Sequence, residues 1–152
     1  MEGTKVLAAV TNVFKGADTH DWGLVQSVLA QKVMLDYSSM NGLGPLELSP
    51  VEVTNNWETF LPGFDRTHHQ LSAFRVQLNG SVADVYYSTV ADHFIGDDVW
   101  TVTATYHTKL IKEDGTWLVN YHKINFENQT GNANLPKRAH EILAERKASS
   151  SL

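Results

Sequence analysis

The sequence contains no cysteine at all. This absence excludes disulfide bonds, thiolate zinc sites and a cysteine nucleophile, and it is typical of proteins kept in a reducing compartment. We therefore expect a cytoplasmic location.

Basic residues and long apolar runs are also scarce. The chain has 12 Lys and Arg against 17 Asp and Glu, which gives a net charge of -5 and leaves no basic surface for nucleic acid. No apolar run approaches the roughly 20 residues of a membrane span. The apolar patch at residues 6–10 follows Glu2 and precedes no cleavage pattern, so we expect no secretory signal. We predict neither a nucleic-acid partner nor membrane insertion.

The chain length of 152 residues fits one domain with its own hydrophobic core. We predict a single domain over residues 1–135. A C-terminal helix and a frayed tail are expected over residues 136–152.

Residues 67–127 have the pattern of four antiparallel strands. Three turn sequences, Asn79-Gly80, Gly96-Asp97 and Asp114-Gly115, separate segments rich in Val, Thr, Tyr, Phe and Trp. Such turns supply the positive φ that tight hairpins need, and such segments favour strands. We predict a long antiparallel meander here.

Helical patterns precede the meander. Val6, Val10 and Phe14 recur at the spacing of one helix face, and Asp21 has the position of a cap for a second, short helix. Residues 32–38 alternate as a first strand, and Ser49-Pro50-Val51-Glu52 is typical of a helix start. This order predicts an α+β fold in which helices cover one face of a strongly curved antiparallel sheet, forming a cone whose mouth holds a small molecule.

Four short segments carry a family resemblance. They are Asp18 with Trp22, Leu35-Asp36-Tyr37, Thr67-His68-His69 and Asp92-His93-Phe94. In their order and spacing, over residues 6–127, they resemble the scytalone dehydratase-like branch of the SnoaL-like, NTF2-like superfamily. The resemblance implies the NTF2-like (cystatin-like) cone.

The resemblance also implies roles for residues. Scytalone dehydratase is a cofactor-free lyase that removes water from a polyketide-derived hydroxyketone, and its pocket aspartate, tyrosine and two histidines match Asp18, Tyr37, His69 and His93. Where that enzyme has a further tyrosine, a serine and an asparagine, this chain has Ala17, Ala104 and Tyr106. These departures keep the acid-base residues and leave the substrate open.

The same four residues have structural alternatives. Strand alternation sends His68 and His69 to opposite faces, so His69 is either a base or a polar lining residue. His93 shares its face with an apolar row, which is typical of a core histidine. Asp18 either caps the second helix or orients a histidine ring by accepting a hydrogen bond from its Nδ1–H. Tyr37 is either a core aromatic or a hydrogen-bond donor to a substrate carbonyl.

We expect aromatic side chains to complete the pocket, namely Trp57, Phe60, Tyr87, Tyr106 and Tyr121. The histidines at 20, 107, 122 and 140 are predicted at edges or on the surface. Trp100 and Val102 are predicted to face outwards, where they would supply an apolar contact for a homo-oligomer, either a dimer or a trimer.

Two functions follow from this pattern. The first is a cofactor-free lyase or isomerase for a small apolar cyclic or polyketide-like carbonyl compound. In it His69, oriented by Asp18, removes the proton α to the carbonyl, Tyr37 stabilises the enolate, and His93 protonates a leaving hydroxyl or holds the substrate. Pairing of Asp18 with His93 instead of His69 is equally open. The second function is a non-catalytic small-molecule-binding or assembly module.

We predict no cofactor and no metal. Asp18, His69 and His93 include the residue types of a two-histidine, one-carboxylate site, but the sequence has no H-x-H or H-x-x-x-H spacing to support one.

Overall fold

The computed structural model describes residues 1–150. Its helices are α1 (Glu2–Thr19), α2 (Trp22–Ser27), α3 (Ser38–Asn41), α4 (Pro50–Glu58) and α5 (Leu135–Ser150), with a 3-10 turn at Leu61–Gly63. Its strands are β1 (Leu29–Asp36), β2 (Leu46–Leu48), β3 (Arg66–Asn79), β4 (Val82–Ile95), β5 (Asp98–Glu113) and β6 (Thr116–Gly131).

The six strands form one curved, open sheet in the order β2-β1-β6-β5-β4-β3. The strands β3 to β6 are antiparallel neighbours, as the meander prediction requires, while β1 pairs parallel to β6 and antiparallel to β2. The predicted α+β class is confirmed. The parallel pair makes the sheet mixed, where we expected it to be antiparallel throughout.

Helix α1 packs its apolar stripe on the sheet. Val6, Val10, Val13 and Phe14 are all buried, and the helix extends at both ends beyond the range that this stripe predicts. Each fully buried aliphatic side chain contributes about 1.5–3 kcal/mol to folding. The stripe therefore fixes where the C-terminal end of α1 meets the sheet.

The predicted helix starts are both present. Asp21 Oδ1 accepts a hydrogen bond from the Leu24 amide at 3.1 Å. Ser49 and Glu52 exchange bonds, with Glu52 N to Ser49 Oγ at 3.2 Å and Ser49 N to Glu52 Oε1 at 2.9 Å. These caps satisfy helix N–H groups that have no partner within the helix.

Three boundaries differ from the predictions. The first strand spans Leu29–Asp36 instead of residues 32–38, and the short elements α3 and β2, which no pattern predicted, flank the loop at residues 42–45. Strand β6 continues to Gly131, beyond the predicted end of the meander at residue 127, because its polar residues pair with β5 through the backbone, and backbone pairing does not depend on side-chain polarity. Helix α5 includes residues 149 and 150 of the predicted tail, while residues 151 and 152 lie outside the described part of the chain.

Three bulges interrupt the ladders of β3 to β6, one in β3 and two in β6, where Glu127 and Asn120 have no partner on β5. In β3 the register shifts between Ser72 and Arg75, where Ala73 has a φ of 57°. In β6, Tyr121 pairs with Lys109 and Val119 with Leu110, so Asn120 has no partner on β5. A bulge bends its strand and changes which residues face each side. The bulges therefore help to set the concave face.

Helix α5 is held against the 3-10 turn. Ala139 is fully buried, and a Cβ added at Gly63 would clash with the Ala139 backbone. Arg146 Nη1 also donates to the Pro62 carbonyl at 2.7 Å. No helix within residues 1–150 combines the length and apolarity needed to cross a membrane.

We predict that Gly63→Ala lowers the free energy of unfolding by about 1–3 kcal/mol, because the added methyl group forces α5 away from the turn. Gly44→Ala is the matched control, since a Cβ there meets nothing within 4 Å. Urea titration of the two variants measures the difference. Equal stability of both variants would show that α5 is not closely docked.

Candidate functional site

The concave face of the sheet and the helices enclose a cavity of about 360 Å3. Apolar side chains such as Phe14 and Ile124 form most of its wall. Six of the predicted site residues line it, namely Tyr37, Trp57, Phe60, His69, His93 and Tyr106. The cavity lies at the small end of the range of about 300–1,000 Å3 seen for small-molecule sites.

Asp18 and His69 are in direct contact. Asp18 lies in the last turn of α1, and its Oδ1 is 2.6 Å from His69 Nδ1. The same oxygen accepts from Thr67 Oγ1 at 2.8 Å, and Oδ2 accepts from the His69 backbone amide at 2.8 Å. Of the two pairings left open by the sequence, the structure has Asp18 with His69.

These bonds set the charge on Asp18. Burial alone would raise the pKa of the carboxyl group, but the hydrogen bonds from His69 and Thr67 outweigh it and hold the pKa below its ordinary value. The carboxylate therefore accepts a hydrogen bond from the protonated Nδ1 of His69. That tautomer leaves Nε2 unprotonated, as a general base requires.

The location of Asp18 is locally unfavourable. A carboxylate at the C-terminal end of a helix lies beside the negative end of the helix dipole, and the last turn of α1 has no basic residue to offset it. The hydrogen bonds from β3 provide that compensation. The charge is thus held in place by tertiary contacts instead of by the helix.

His93 is buried in a different state. Its side chain is 5% exposed, and its Nδ1 lies 3.0 Å from the Trp100 carbonyl oxygen. Since a carbonyl only accepts, Nδ1 carries the proton and Nε2 is an acceptor. Burial lowers the pKa of His93 to about 4, so the ring is neutral near pH 7. This state favours holding a substrate donor over protonating a leaving hydroxyl.

Tyr37 is half-buried, and both it and Trp57 line the cavity. A phenol hydroxyl can donate one hydrogen bond. Burial raises the pKa of Tyr37, so the hydroxyl stays protonated. Tyr37 can therefore donate to an oxygen bound in the cavity.

Two predictions on β6 are wrong. Tyr121, expected in the pocket, lies on the convex face with its ring 5.5 Å from that of His107. His122, expected at an edge, is 2% exposed and lines the cavity. The reason is the bulge at Asn120, because regular alternation from Val119 would turn Tyr121 inwards and His122 outwards. No local signal in the sequence marks this bulge.

Strand β5 corrects two further predictions. Trp100 and Val102, expected to face outwards, are buried and line the cavity. Along a regular strand, Trp100, Val102 and Tyr106 all lie on the same face. The prediction that Tyr106 faces inwards therefore already implied that Trp100 and Val102 do so too. The apolar oligomer contact that they were expected to supply is therefore not available.

Tyr87 and His140 complete the comparison with the sequence. Tyr87 is on the inner face but lies beside the cavity wall instead of lining it, with its ring stacked 5.4 Å from that of Tyr106. His140 of α5 is exposed yet lines the mouth of the cavity. Across residues 1–150, no three His, Asp or Glu side chains are grouped to hold a metal ion.

The curved, open sheet covered by helices is the fold of the NTF2-like class of α+β proteins. Residues 3–123 match the model of the SnoaL-like domain family, and the chain belongs to that family. No curated protein matches the chain.

Solved structures show the same fold. The Kfla4162 protein from Kribbella flavida is 20% identical, with a TM-score of 0.83 over 88% of this chain and 95% of that one. A hexachlorocyclohexane dehydrochlorinase, LinA type 2, is 14% identical, with a TM-score of 0.72 over 87% and 89%. A Novosphingobium aromaticivorans protein provisionally assigned as a scytalone dehydratase is 14% identical, with a TM-score of 0.72 over 86% and 87%. At these identities the likeness shows the fold alone.

We predict that acidification destabilises the protein through its buried histidines. The folded-state pKa values, about 4 for His93 and about 3 for His122, lie below the ordinary 6.5 because both rings are buried. As the pH falls below about 6.5, the unfolded chain binds protons that the folded protein does not, so the free energy of unfolding decreases by up to about 1.4 kcal/mol per pH unit for each ring. The contribution of Asp18 is lost separately, as the pH falls through its lowered pKa, below 3.8.

Urea titrations between neutral pH and about pH 4.5 measure this slope. His122→Gln should reduce it, while His68→Gln, which removes an exposed histidine, should leave it unchanged. An unchanged slope in His122→Gln would contradict the prediction.

Proposed function

We propose that this protein is a cofactor-free lyase or isomerase in which His69 acts as a general base on a small, mostly apolar carbonyl compound. The observation that carries the proposal is the 2.6 Å contact between Asp18 Oδ1 and His69 Nδ1 at the wall of an apolar cavity. A base held in one tautomer by a carboxylate is the arrangement that proton abstraction needs.

The reaction begins at His69 Nε2. It takes the proton from the carbon α to the carbonyl, and the electron pair of the broken C–H bond moves onto the carbonyl oxygen. Tyr37 donates a hydrogen bond to that enolate oxygen, while Asp18 stabilises the imidazolium. The enolate then reforms the carbonyl and expels a hydroxyl group from the β carbon, which forms the C=C bond. The His69 imidazolium returns its proton to the departing oxygen, so that water leaves and the base is restored. Proton return to another carbon would give an isomer instead.

His93 has a supporting part in this scheme. Its Nε2 accepts a hydrogen bond from a substrate hydroxyl or amine and so orients the molecule. Its ring centroid is 6.1 Å from that of His69, close enough for one small molecule to touch both. Apolar neighbours exclude water around them and strengthen each polar contact.

Two of the structural neighbours support elimination chemistry by their names, a dehydrochlorinase and a protein provisionally assigned as a dehydratase. Each name denotes removal of a small molecule across a carbon–carbon bond. The cavity dimensions agree with a compact apolar ligand. A cytoplasmic location and assembly into a dimer or trimer stay predictions, and any oligomer contact must use residues other than Trp100 and Val102.

We predict that the protein catalyses exchange of α protons for deuterium in cyclic ketones and elimination from cyclic β-hydroxy ketones. NMR follows the exchange, and ultraviolet absorbance follows the conjugated enone. His69→Ala should lower both rates by about 10²–10⁴-fold, because the base is gone. His68→Ala removes the neighbouring, outward-facing ring and should keep wild-type rates. Full activity in His69→Ala would exclude the mechanism, and ligand binding without exchange in the wild type would favour a non-catalytic binding module.

We further predict that Asp18→Asn lowers the exchange rate by about 10²-fold or more, since a neutral amide stabilises the imidazolium less and no longer fixes the tautomer. The KM for the ketone should change little, because Asp18 itself does not line the cavity. A rise in KM at constant kcat would show that Asp18 only shapes the cavity wall.

A further inference from the structure

A buried hydrogen-bond chain reaches the cavity from the side opposite Asp18. The Tyr87 hydroxyl lies 2.7 Å from Thr108 Oγ1, and Thr108 Oγ1 lies 3.0 Å from His122 Nδ1. All three residues are buried. The elimination scheme does not use this chain, although His122 lines the same cavity as His69 and His93.

The donors and acceptors of the chain select one proton order. Within residues 1–150 the Tyr87 hydroxyl has Thr108 as its only hydrogen-bond partner. If Tyr87 donates to Thr108 and Thr108 donates to His122 Nδ1, every buried hydroxyl proton has an acceptor. The reverse order would leave the Tyr87 proton buried without one, at a cost of about 1–3 kcal/mol. In the favoured order Nδ1 accepts, so the proton of the neutral ring is on Nε2.

We propose that His122 is a further substrate-binding residue, whose Nε2–H donates a hydrogen bond to an oxygen acceptor of the ligand in the cavity. Tyr87 and Thr108 act as positioning residues that fix the tautomer. The inference deepens the proposed function and rests on it. It adds that the carbonyl or similar oxygen of the compact apolar substrate binds at the end of the cavity next to β6.

The placement of His122 defines where that oxygen would bind in the cavity. The strands β3 and β6 are separated by β5 and β4, so His69 and His122 approach the ligand from opposite sides of the concave face. Phe14 lies between them, with its ring 5.2 Å from that of His69 and 5.7 Å from that of His122. Tyr37 is also near, with its ring 6.4 Å from that of His122. The two donors, Tyr37 and His122, can therefore share one carbonyl oxygen.

The chemistry of the ring supports this role. Burial lowers the pKa of His122 to about 3, which keeps the imidazole neutral and able to donate from one nitrogen without carrying a charge into the apolar cavity. The bulge at Asn120 allows β6 to turn both Val119 and His122 inwards. Bulges next to active sites often serve to aim a side chain in this way.

The tautomer is tested by NMR on protein with ¹⁵N-labelled histidine. Two-bond correlations should show His122 neutral with the proton on Nε2 in the wild type, and a mixture of tautomers in Tyr87→Phe, where Thr108 no longer receives a donor. A wild-type His122 with its proton on Nδ1, or charged near pH 7, would overturn the proposal.

Ligand selection is tested by calorimetric binding of the bicyclic ketone decalone and of methylenedecalin, the hydrocarbon in which C=O is replaced by C=CH2. The wild type should prefer the ketone, and His122→Leu should bind it about tenfold more weakly while keeping its affinity for the hydrocarbon. His122→Gln, which retains an N–H donor, should recover part of the loss. Equal loss for both ligands, or no loss for either, would reject His122 as the donor.

This binding test is independent of turnover. His69→Ala should keep the preference for the ketone even though it loses exchange. Loss of the preference in His122→Leu with no exchange activity in the wild type would uphold His122 and reject the lyase proposal. Normal exchange activity in the wild type with no preference for the ketone would uphold the lyase proposal and reject His122 as the donor.

Discussion

The Asp18 carboxylate ties the last turn of α1 to the start of β3, and the geometry of the site depends on this contact. It accepts hydrogen bonds from Thr67, from the His69 backbone and from the His69 ring, so one charged group fixes both the strand and the side chain that it carries. The helix itself does not favour a negative charge at this end. The carboxylate is therefore stable only while helix and sheet are correctly packed, which couples the core formed by α1 to the protonation state of the cavity.

Three histidines of the sheet line the apolar cavity, and each presents a different group to it. The partner of Nδ1 decides the difference: a carboxylate for His69, a carbonyl for His93 and a hydroxyl for His122. The carboxylate and the carbonyl each accept a hydrogen bond from Nδ1–H, so Nε2 of His69 and of His93 is an acceptor. Only the carboxylate can also stabilise a charged ring. The hydroxyl chain from Tyr87 reverses the proton order on the third ring. The same side chain can thus serve as base, acceptor and donor within one cavity, because hydrogen bonds behind the cavity wall set each tautomer.

Local signals in the sequence predicted most of the fold. The helix stripe of Val6, Val10 and Phe14, the caps at Asp21 and Ser49, and the glycine turns of the meander each act over a few residues, and each matches the structure. The strand β2 is three residues long and has no such pattern, so it was missed. The sequence predicted only some of the contacts between distant parts of the chain. Family resemblance indicated that Asp18 acts with a histidine, but the choice of His69 needed the packing of α1 against β3.

The site predictions failed where the sheet departs from regular alternation. Parity gave His69, His93 and Tyr106 their correct face, and it would also have given Trp100 and Val102 theirs. Alternation counted from Val119 fails for His122 because the bulge at Asn120 lies between them, whereas alternation counted from the buried Ile124 places His122 inwards. A bulge is a property of the ladder as a whole, and no nearby residue type requires it.

The unpaired Asn120 also bears on how relatives of this chain are compared. A strand with a bulge holds one residue more than its partner needs, and a relative that lacks the bulge can present the same inward row with one residue fewer. A sequence alignment of such a pair without a gap at this point would match His122 to an outward-facing side chain. Alignments within the family should therefore allow a one-residue gap at Asn120 before residues of this strand are equated.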